Sequence, residues 1–249
     1  MKKLLLQITI LIFSNSAFCQ ILMNDVSDLW TTELIIENKI SQVIFLPSRG
    51  DTIISNYRLD GQVEIEYLIN KGSKDTSTIF YVYEKDLLKE QLHIYASRND
   101  TITYTTYKYE NSKLKTVTCE NPTFDDLEID TYFYDEKGNL KKVESIFQND
   151  KIIRETKKEF DGSGRLIKEI ELRNNQENVT HYLYEDDKVT IQNNEGNTVI
   201  HFNKKGFPIS ASTKEENRIS FQLIYDERGL LQSIENDGKI EAEVKYLIR

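Results

Sequence analysis

The side chains best suited to chemistry are scattered along this chain. Histidines stand at His93, His181 and His201, with no close ligand pair among them, whereas a zinc site needs converging His, Cys or carboxylate ligands. The densest acidic group is Asp125, Asp126, Glu128 and Asp130. It lacks the glycine and the ligand spacing of an EF-hand loop and reads as a solvated loop. Asp161-Gly162-Ser163-Gly164 sets a serine between glycines, but Gly-x-Ser-x-Gly is absent and so are phosphate-binding glycine loops. Cys119 lies in an expected strand with no histidine nearby in sequence, which suits an inert buried thiol rather than a nucleophile. With 41 acidic residues, carboxylate pairs at glycosidase spacing arise by abundance alone. The expectation is no catalytic residue, no cofactor and no metal.

What does recur is a structural phrase, an aromatic residue followed by a short acidic turn and an aliphatic residue. It reads Tyr134-Asp135-Glu136-Lys137-Gly138-Asn139-Leu140, Phe160-Asp161-Gly162-Ser163-Gly164-Arg165-Leu166 and Tyr225-Asp226-Glu227-Arg228-Gly229-Leu230-Leu231. Looser copies begin at Tyr57, Tyr83, Tyr109, Tyr184 and Phe202. The anchoring aromatics are 24 to 26 residues apart as far as Tyr184, and then 18 and 23 apart. Such regularity marks a repeat architecture.

Each unit reads as a strand into the aromatic, a tight turn, a strand out and a polar return. In the unit at Tyr134 the outgoing strand is expected over Leu140 to Phe147, the return at Gln148-Asn149-Asp150-Lys151 and the incoming strand over Ile152 to Phe160. Aspartate suits the turn because its carboxylate accepts hydrogen bonds from backbone further along, and glycine because it takes positive φ without steric cost. Period-two alternation puts Tyr81 with Tyr83, Tyr107 with Tyr109, Tyr132 with Tyr134, and Tyr182 with Tyr184 on common faces. Ile200 with Phe202 and Leu223 with Tyr225 keep the register, and Phe160 has Lys158 instead. In stacked units these side chains form ladders.

The fold class is therefore all-β, an antiparallel meander of about eight two-strand units. Sixteen or so strands exceed what a flat open sheet sustains, so the sheet is expected to be curled or folded over. Propeller blades need four strands and about 40 residues each, whereas these units hold two strands. Residues 20–56 read as an N-terminal cap with a worn first copy, Ile35 to Ile40 followed by a strand from Gln42 to Leu46. A short helix or arm is expected over Asn24 to Thr32, and residues 57–249 form the repeat region of the same domain.

Residues 1–19 read as a secretory signal: Lys2 and Lys3, an apolar run from Leu4 to Phe13, then small and polar residues before Cys19-Gln20. The run is too short to span a bilayer, which takes about 20 apolar residues, and no later segment is apolar enough. The expected destination is the periplasm or the exterior. Phe18 occupies the position where a lipoprotein signal carries Gly or Ala, which disfavours anchoring through Cys19. Cleavage after Cys19 leaves only Cys119, so the core must hold the fold without a disulfide. The formal charge of −9 becomes more negative when Lys2 and Lys3 are lost, which excludes nucleic acid and anionic lipid surfaces as natural partners.

The phrase at Tyr134 to Leu140 and at Tyr225 to Leu231 resembles the YD repeats of the RHS family of bacterial surface and toxin-delivery proteins. The resemblance extends over about Tyr57 to Arg249, although the copies at Tyr83, Tyr109 and Tyr184 lack the glycine and Phe202-Asn203-Lys204-Lys205-Gly206 ends in Phe207-Pro208. It implies strand-turn-strand units, which in that family build a long sheet wrapped as a shell around a toxin. Eight units with no cargo domain carry over the unit and not the shell.

The functional expectation is a non-enzymatic structural or protein-binding module of the cell envelope or exterior, acting through a sheet face or unpaired terminal strands. Tyr107, Tyr109, Tyr132, Tyr134, Tyr182 and Tyr184 form the candidate binding face. As an alternative, the same tyrosines could stack on the sugar rings of a glycan. A third reading is an immunity-like protein that neutralises a toxin.

Overall fold

The structure is a computed structural model that describes residues 31–72, 76–95, 100–147, 153–173, 175–194, 196–213 and 220–249. The expected signal segment with Cys19 lies outside the described residues, as does the return at 148–151.

One short helix, α1 (Thr32–Glu37), precedes the sheet. Thr31 caps it, its side-chain oxygen accepting a hydrogen bond from the Leu34 N–H at 3.3 Å. The helix therefore takes up Ile35 to Glu37, where the sequence suggests a worn strand. Strand β1 (Ile40–Pro47) follows. Eight hairpins then run in chain order: β2 (Thr52–Tyr57) with β3 (Val63–Ile69), β4 (Thr76–Glu84) with β5 (Leu87–Tyr95), and β6 (Asp100–Glu110) with β7 (Lys113–Asn121). Next come β8 (Asp126–Tyr134) with β9 (Leu140–Phe147), β10 (Ile153–Phe160) with β11 (Leu166–Arg173), and β12 (Gln176–Tyr184) with β13 (Lys188–Asn193). The last two are β14 (Gly196–Phe202) with β15 (Pro208–Thr213) and β16 (Ser220–Tyr225) with β17 (Leu231–Asn236), after which β18 (Lys239–Ile248) ends the sheet.

All pairings are antiparallel between neighbours in sequence, except that β1 pairs with both β2 and β18. The 18-stranded sheet is thus a closed barrel, its seam set by Ile40↔Ile248, Phe45↔Val244 and Pro47↔Ala242. This corrects the curled or folded-over sheet expected from sequence, and it leaves no unpaired terminal strand. The eight units fill β2 to β17, and β1 with β18 supply the closing pair.

The reason for closure recurs in the register. At the turn end of nearly every unit the pairing slips by one residue, so that Tyr57 faces Val63, Tyr83 faces Leu88, Tyr109 faces Leu114 and Tyr134 faces Leu140. Phe160 with Leu166, Phe202 with Pro208 and Tyr225 with Leu231 do the same, while Tyr184 meets Val189 without a bulge. A β-bulge bends its strand and increases local twist. Repeated at one level around the sheet, it supplies the curvature that brings β18 back to β1, where both edges find hydrogen-bond partners. In the copies at Tyr134, Phe160 and Tyr225 the bulge also pairs the aromatic with the motif's own final leucine, a cross-strand contact contributing about 0.2–1 kcal/mol.

The face that carries the ladders is the more buried one, and α1 packs on it, which identifies it as the concave, inward face. Ile35 of the helix joins Ile40, Val43, Phe45, Tyr57, Phe221, Leu223, Leu230, Leu231, Ile234, Ala242 and Val244 in the main core. This core lies at the seam. A second cluster joins Tyr182, Ile191, Ile200 and Ala211. The helix sits against the Gly61 turn so closely that a β-carbon at Gly61 (φ +78) would meet Thr32 at 2.8 Å and Ile36 at 2.9 Å. No helix among the described residues is long and apolar enough to cross a membrane.

Candidate binding site: the tyrosine ladders and the turn-end pocket

The motif turns share one hydrogen-bond scheme. The Asp135 N–H donates to the Asn139 carbonyl at 2.9 Å and the Gly138 N–H to the Asp135 carbonyl at 3.0 Å; Asp161 with Arg165, Asn203 with Phe207, and Asp226 with Leu230 repeat it. The motif side chain then ties down the loop interior: Asp161 Oδ1 accepts from the N–H groups of Ser163 and Arg165, and Asp226 Oδ1 from those of Arg228 and Leu230. Asn203 does the same for Lys205 and Phe207 without a charge. These bonds hold the Asp161 carboxyl well below the usual carboxylate range, the backbone bond from Arg165 foremost, and the Asn139 side chain lowers Asp135 likewise. Where the glycine is missing, the loop contracts. Lys85-Asp86 and Asn111-Ser112 adopt positive φ at both residues (50° and 65°, 51° and 62°), giving the two-residue hairpin turns whose twist matches the strands.

The ladder tyrosines use their hydroxyls to link units. Tyr134 donates to the Leu114 carbonyl at 2.9 Å, Tyr225 to that of Pro208 at 2.9 Å and Tyr246 to that of Leu231 at 2.6 Å. In each case the acceptor is at the start of the preceding strand. Tyr246, in the closing strand, thus acts as a further ladder member that sequence spacing does not single out.

Deeper along the inward face the partners are polar. Glu66 Oε1 accepts from Ser55 at 2.6 Å and its other oxygen from the Tyr81 hydroxyl. Tyr107 donates to Gln91 Oε1 at 2.5 Å. Arg154 lies 3.3 Å from Glu128 and 4.0 Å from Asp130 and donates to the buried Ser145 hydroxyl at 3.2 Å. Glu128 and Asp130 therefore stand in β8 facing an inward arginine, not in a solvated loop as the sequence suggests; burial, then Asp130, pushes the Glu128 carboxyl up. Lys158, which breaks the aromatic register, pairs with Glu169 at 3.2 Å with both side chains largely covered. An ion pair replaces a ring at this point of the ladder.

The six tyrosines of the expected binding face all lie on this inward wall. Tyr182 is buried and its hydroxyl has no protein partner. Tyr184 has the Arg165 guanidinium 4.9 Å from its ring centre, and Lys113 stands 5.1 Å from the ring centre of Tyr134. Burial, aided by Asp130, pushes Tyr132 up to about 12, and burial, aided by Glu66, pushes Tyr83 up to about 12. Tyr57, Tyr81, Tyr107 and Tyr182 are raised further, burial again being the first cause.

A phenol with a raised folded value is neutral in both states below about pH 10, where its contribution is fully present. Above that the unfolded chain ionises first and stability is lost. Tyrosinate absorbance is therefore expected to rise in one cooperative step coincident with loss of β-sheet circular dichroism. A gradual titration of these phenols at ordinary values, with the sheet intact, would contradict their burial.

Cys119 stands opposite Thr105 and Glu128. Burial lowers His93, whose ring centre lies 5.9 Å from that of Tyr95. No three His, Cys, Asp or Glu side chains among the described residues converge as metal ligands.

At the turn end the inward face opens into a cavity of about 330 Å³ lined in part by Thr32, Tyr57, Gln62, Tyr83, Asp86 and Tyr109. Of these, Tyr109 belongs to the expected binding face. Gln62 and Thr32 carry no motif signal, and the docking of α1 against the first motif turn brings them to one place.

The fold is a closed antiparallel β-barrel with a tyrosine-laddered interior. Compared with known proteins, no family model matches and no curated protein matches. Among solved structures, a porin-like protein from Bacteroides uniformis aligns over 84% of this chain and 98% of its own at 11% identity and a TM-score of 0.45. The crystal structure of TcdB2-TccC3-Cdc42 aligns over 75% of this chain at 14% identity and a TM-score of 0.41, and this chain spans only 12% of that one. Likeness at this level says nothing of what the chain binds.

Proposed function

We propose that this chain is an exported, non-enzymatic β-barrel module of the cell envelope or exterior, built of YD-type units like those of RHS proteins, that binds a protein through its outer wall. Export rests on the signal-like residues 1–19. Closure removes the free strand edges to which another chain could add a strand, so the contact is made by side chains. The observation that carries the reading is a row across β3 to β6, where Ile65 faces Phe80, Phe80 faces Leu92 and Leu92 faces Tyr104. Val82 stands beside it, and Phe80 and Val82 remain 38% and 50% exposed. Contiguous exposed apolar side chains of this kind mark protein contacts.

On β9 and β10 the outer wall carries ion pairs. Lys142 lies 2.7 Å from Glu144 and 3.9 Å from Glu155, and Lys157 2.6 Å from Glu155. A lysine on the lipid face of a barrel costs about 2–4 kcal/mol at mid-bilayer, so these strands favour water outside.

The test compares the wild-type chain with a Phe80→Glu, Val82→Glu double variant in crosslinked capture from the native envelope. One dominant protein, captured by the wild type and lost by a variant of unchanged thermal midpoint, is the expected result. Equal capture by both proteins, or recovery of polysaccharide alone, would remove the outer wall from the reading.

A further inference from the structure

The exposed row on β3 to β6 continues beyond Tyr104, and there it becomes acidic. Tyr104 faces Glu120, and Glu120 faces Leu127. In the flanking row Val82 faces Glu90, and Glu90 faces Thr106. Partial burial, the hydrogen bond to Glu90 and the charges of Glu90 and Glu120 raise the Tyr104 phenol above its ordinary value, which places both carboxylates around that ring. Among the described residues neither Glu90 nor Glu120 makes an ion pair. Their two rows, and the row through Tyr67, Thr78 and Ile94 on the other side, contain no lysine or arginine. On β9 and β10, by contrast, Lys142, Glu144, Glu155 and Lys157 satisfy one another. The patch is therefore apolar, exposed at Phe80 and Val82, and charged with one sign only.

We infer that this patch binds the apolar face of a basic amphipathic helix, an inference that rests on the outer wall being the protein-binding surface. Spacing selects a helix. Residues in a cross-strand row stand about 4.8 Å apart, so Ile65 to Tyr104 covers about 14 Å. Four residues on one face of a helix, one per turn of 5.4 Å, cover about 16 Å. Four same-face residues of an extended strand cover about 20 Å, which overshoots the row by more than one strand. Charge selects basic residues. Glu120 occupies the next place in the row after Tyr104, so a lysine or arginine one turn beyond the apolar side chains meets it, and another on the helix flank meets Glu90. Exposed ion pairs of this kind add little affinity, so the row supplies the binding and the carboxylates choose the partner. A second copy of this chain does not fit the requirement, because the same patch supplies no cation.

The test uses two synthetic helix-forming peptides with the same leucine stripe, one carrying lysine and the other glutamate at its polar positions, in fluorescence anisotropy and NMR titrations of the mature chain. The lysine peptide is expected to bind with its largest tyrosine shift at Tyr104, and the glutamate peptide not to bind. Glu90→Gln with Glu120→Gln is expected to weaken binding about three- to tenfold. Glu159→Gln with Glu177→Gln, an equal loss of charge on β10 and β12, should leave it unchanged, and Phe80→Glu with Val82→Glu should remove it. The two-peptide comparison is read in the wild-type chain, so it holds even where a variant fails to fold. Binding by neither peptide, equal binding by both, shifts confined to other tyrosines, or a folded Glu90→Gln, Glu120→Gln chain that binds like wild type would each overturn the basic helix. If the glutamine pair has no effect but Phe80→Glu with Val82→Glu abolishes binding, the outer wall stands as the contact surface and only the partner's charge is overturned; indifference to both pairs removes the outer wall as well.

Discussion

A chain ending at Gly238 is expected to lose the native barrel altogether. Without β18 the seam residues Ala242 and Val244 leave the core, Tyr246 no longer caps Leu231, and β1 and β17 each present a free edge. Long unpaired edges pair with other molecules, so size-exclusion chromatography should show oligomers or aggregate where the full chain runs as one species. A point variant separates closure from general fragility. Phe45 is 2% exposed at the centre of the seam, and Phe45→Ala should lower unfolding free energy by about 3–5 kcal/mol in urea titration. Phe80→Ala on the outer wall, where the ring faces only Ile65 and Leu92, should cost less, about 0.5–2 kcal/mol. A truncated chain that stayed monomeric with the full thermal midpoint would show that the seam does not hold the barrel together.

Asp226→Ala is expected to be the most damaging change in any motif turn. Its Oδ1 accepts from the Leu230 N–H at 2.9 Å, and Leu230 is fully buried beneath the turn. Truncation leaves that N–H buried without a partner, at a cost of about 1–3 kcal/mol. Asp226→Asn keeps the acceptor and loses only the charge toward Arg228, so it should cost less. Asp161→Ala removes similar bonds from an exposed turn, and its thermal midpoint should fall less than that of Asp226→Ala.

The pH dependence follows from the same geometry. Burial pushes the Asp226 carboxyl up, but the Leu230 backbone bond and the Arg228 side chain outweigh it and leave the group below its ordinary value. A depressed folded value means that the contribution is present above the unfolded pKa of about 3.9 and is lost as pH falls through the folded one. The urea midpoint of the wild type should therefore fall more steeply below about pH 4 than that of Asp226→Asn. Parallel acid limbs for the two proteins would show that the carboxylate is not tied to the turn.

The repeat was legible because local chemistry enforces it. An aspartate that must accept backbone hydrogen bonds, a glycine that must take positive φ and an aromatic that must alternate with its neighbour leave marks at a regular spacing, as at Tyr134 to Leu140. The strand from Leu140 to Phe147 was readable to the residue, as was the common face of paired tyrosines such as Tyr132 and Tyr134. The glycine-free copies were readable as turns, though their contraction to two residues at Lys85-Asp86 was not, because either loop length satisfies the same residue types.

Closure, the inward direction of the ladders and the turn-end cavity were decided only by the tertiary structure. Each depends on curvature summed over many strands, to which every bulge adds an increment too small to leave a residue signature of its own. The acidic residues Glu128 and Asp130 show the same limit: their partner Arg154 lies two strands away, and the sequence alone reads them as solvent-facing. Gln62 lines the turn-end cavity because α1 and three successive units meet around it.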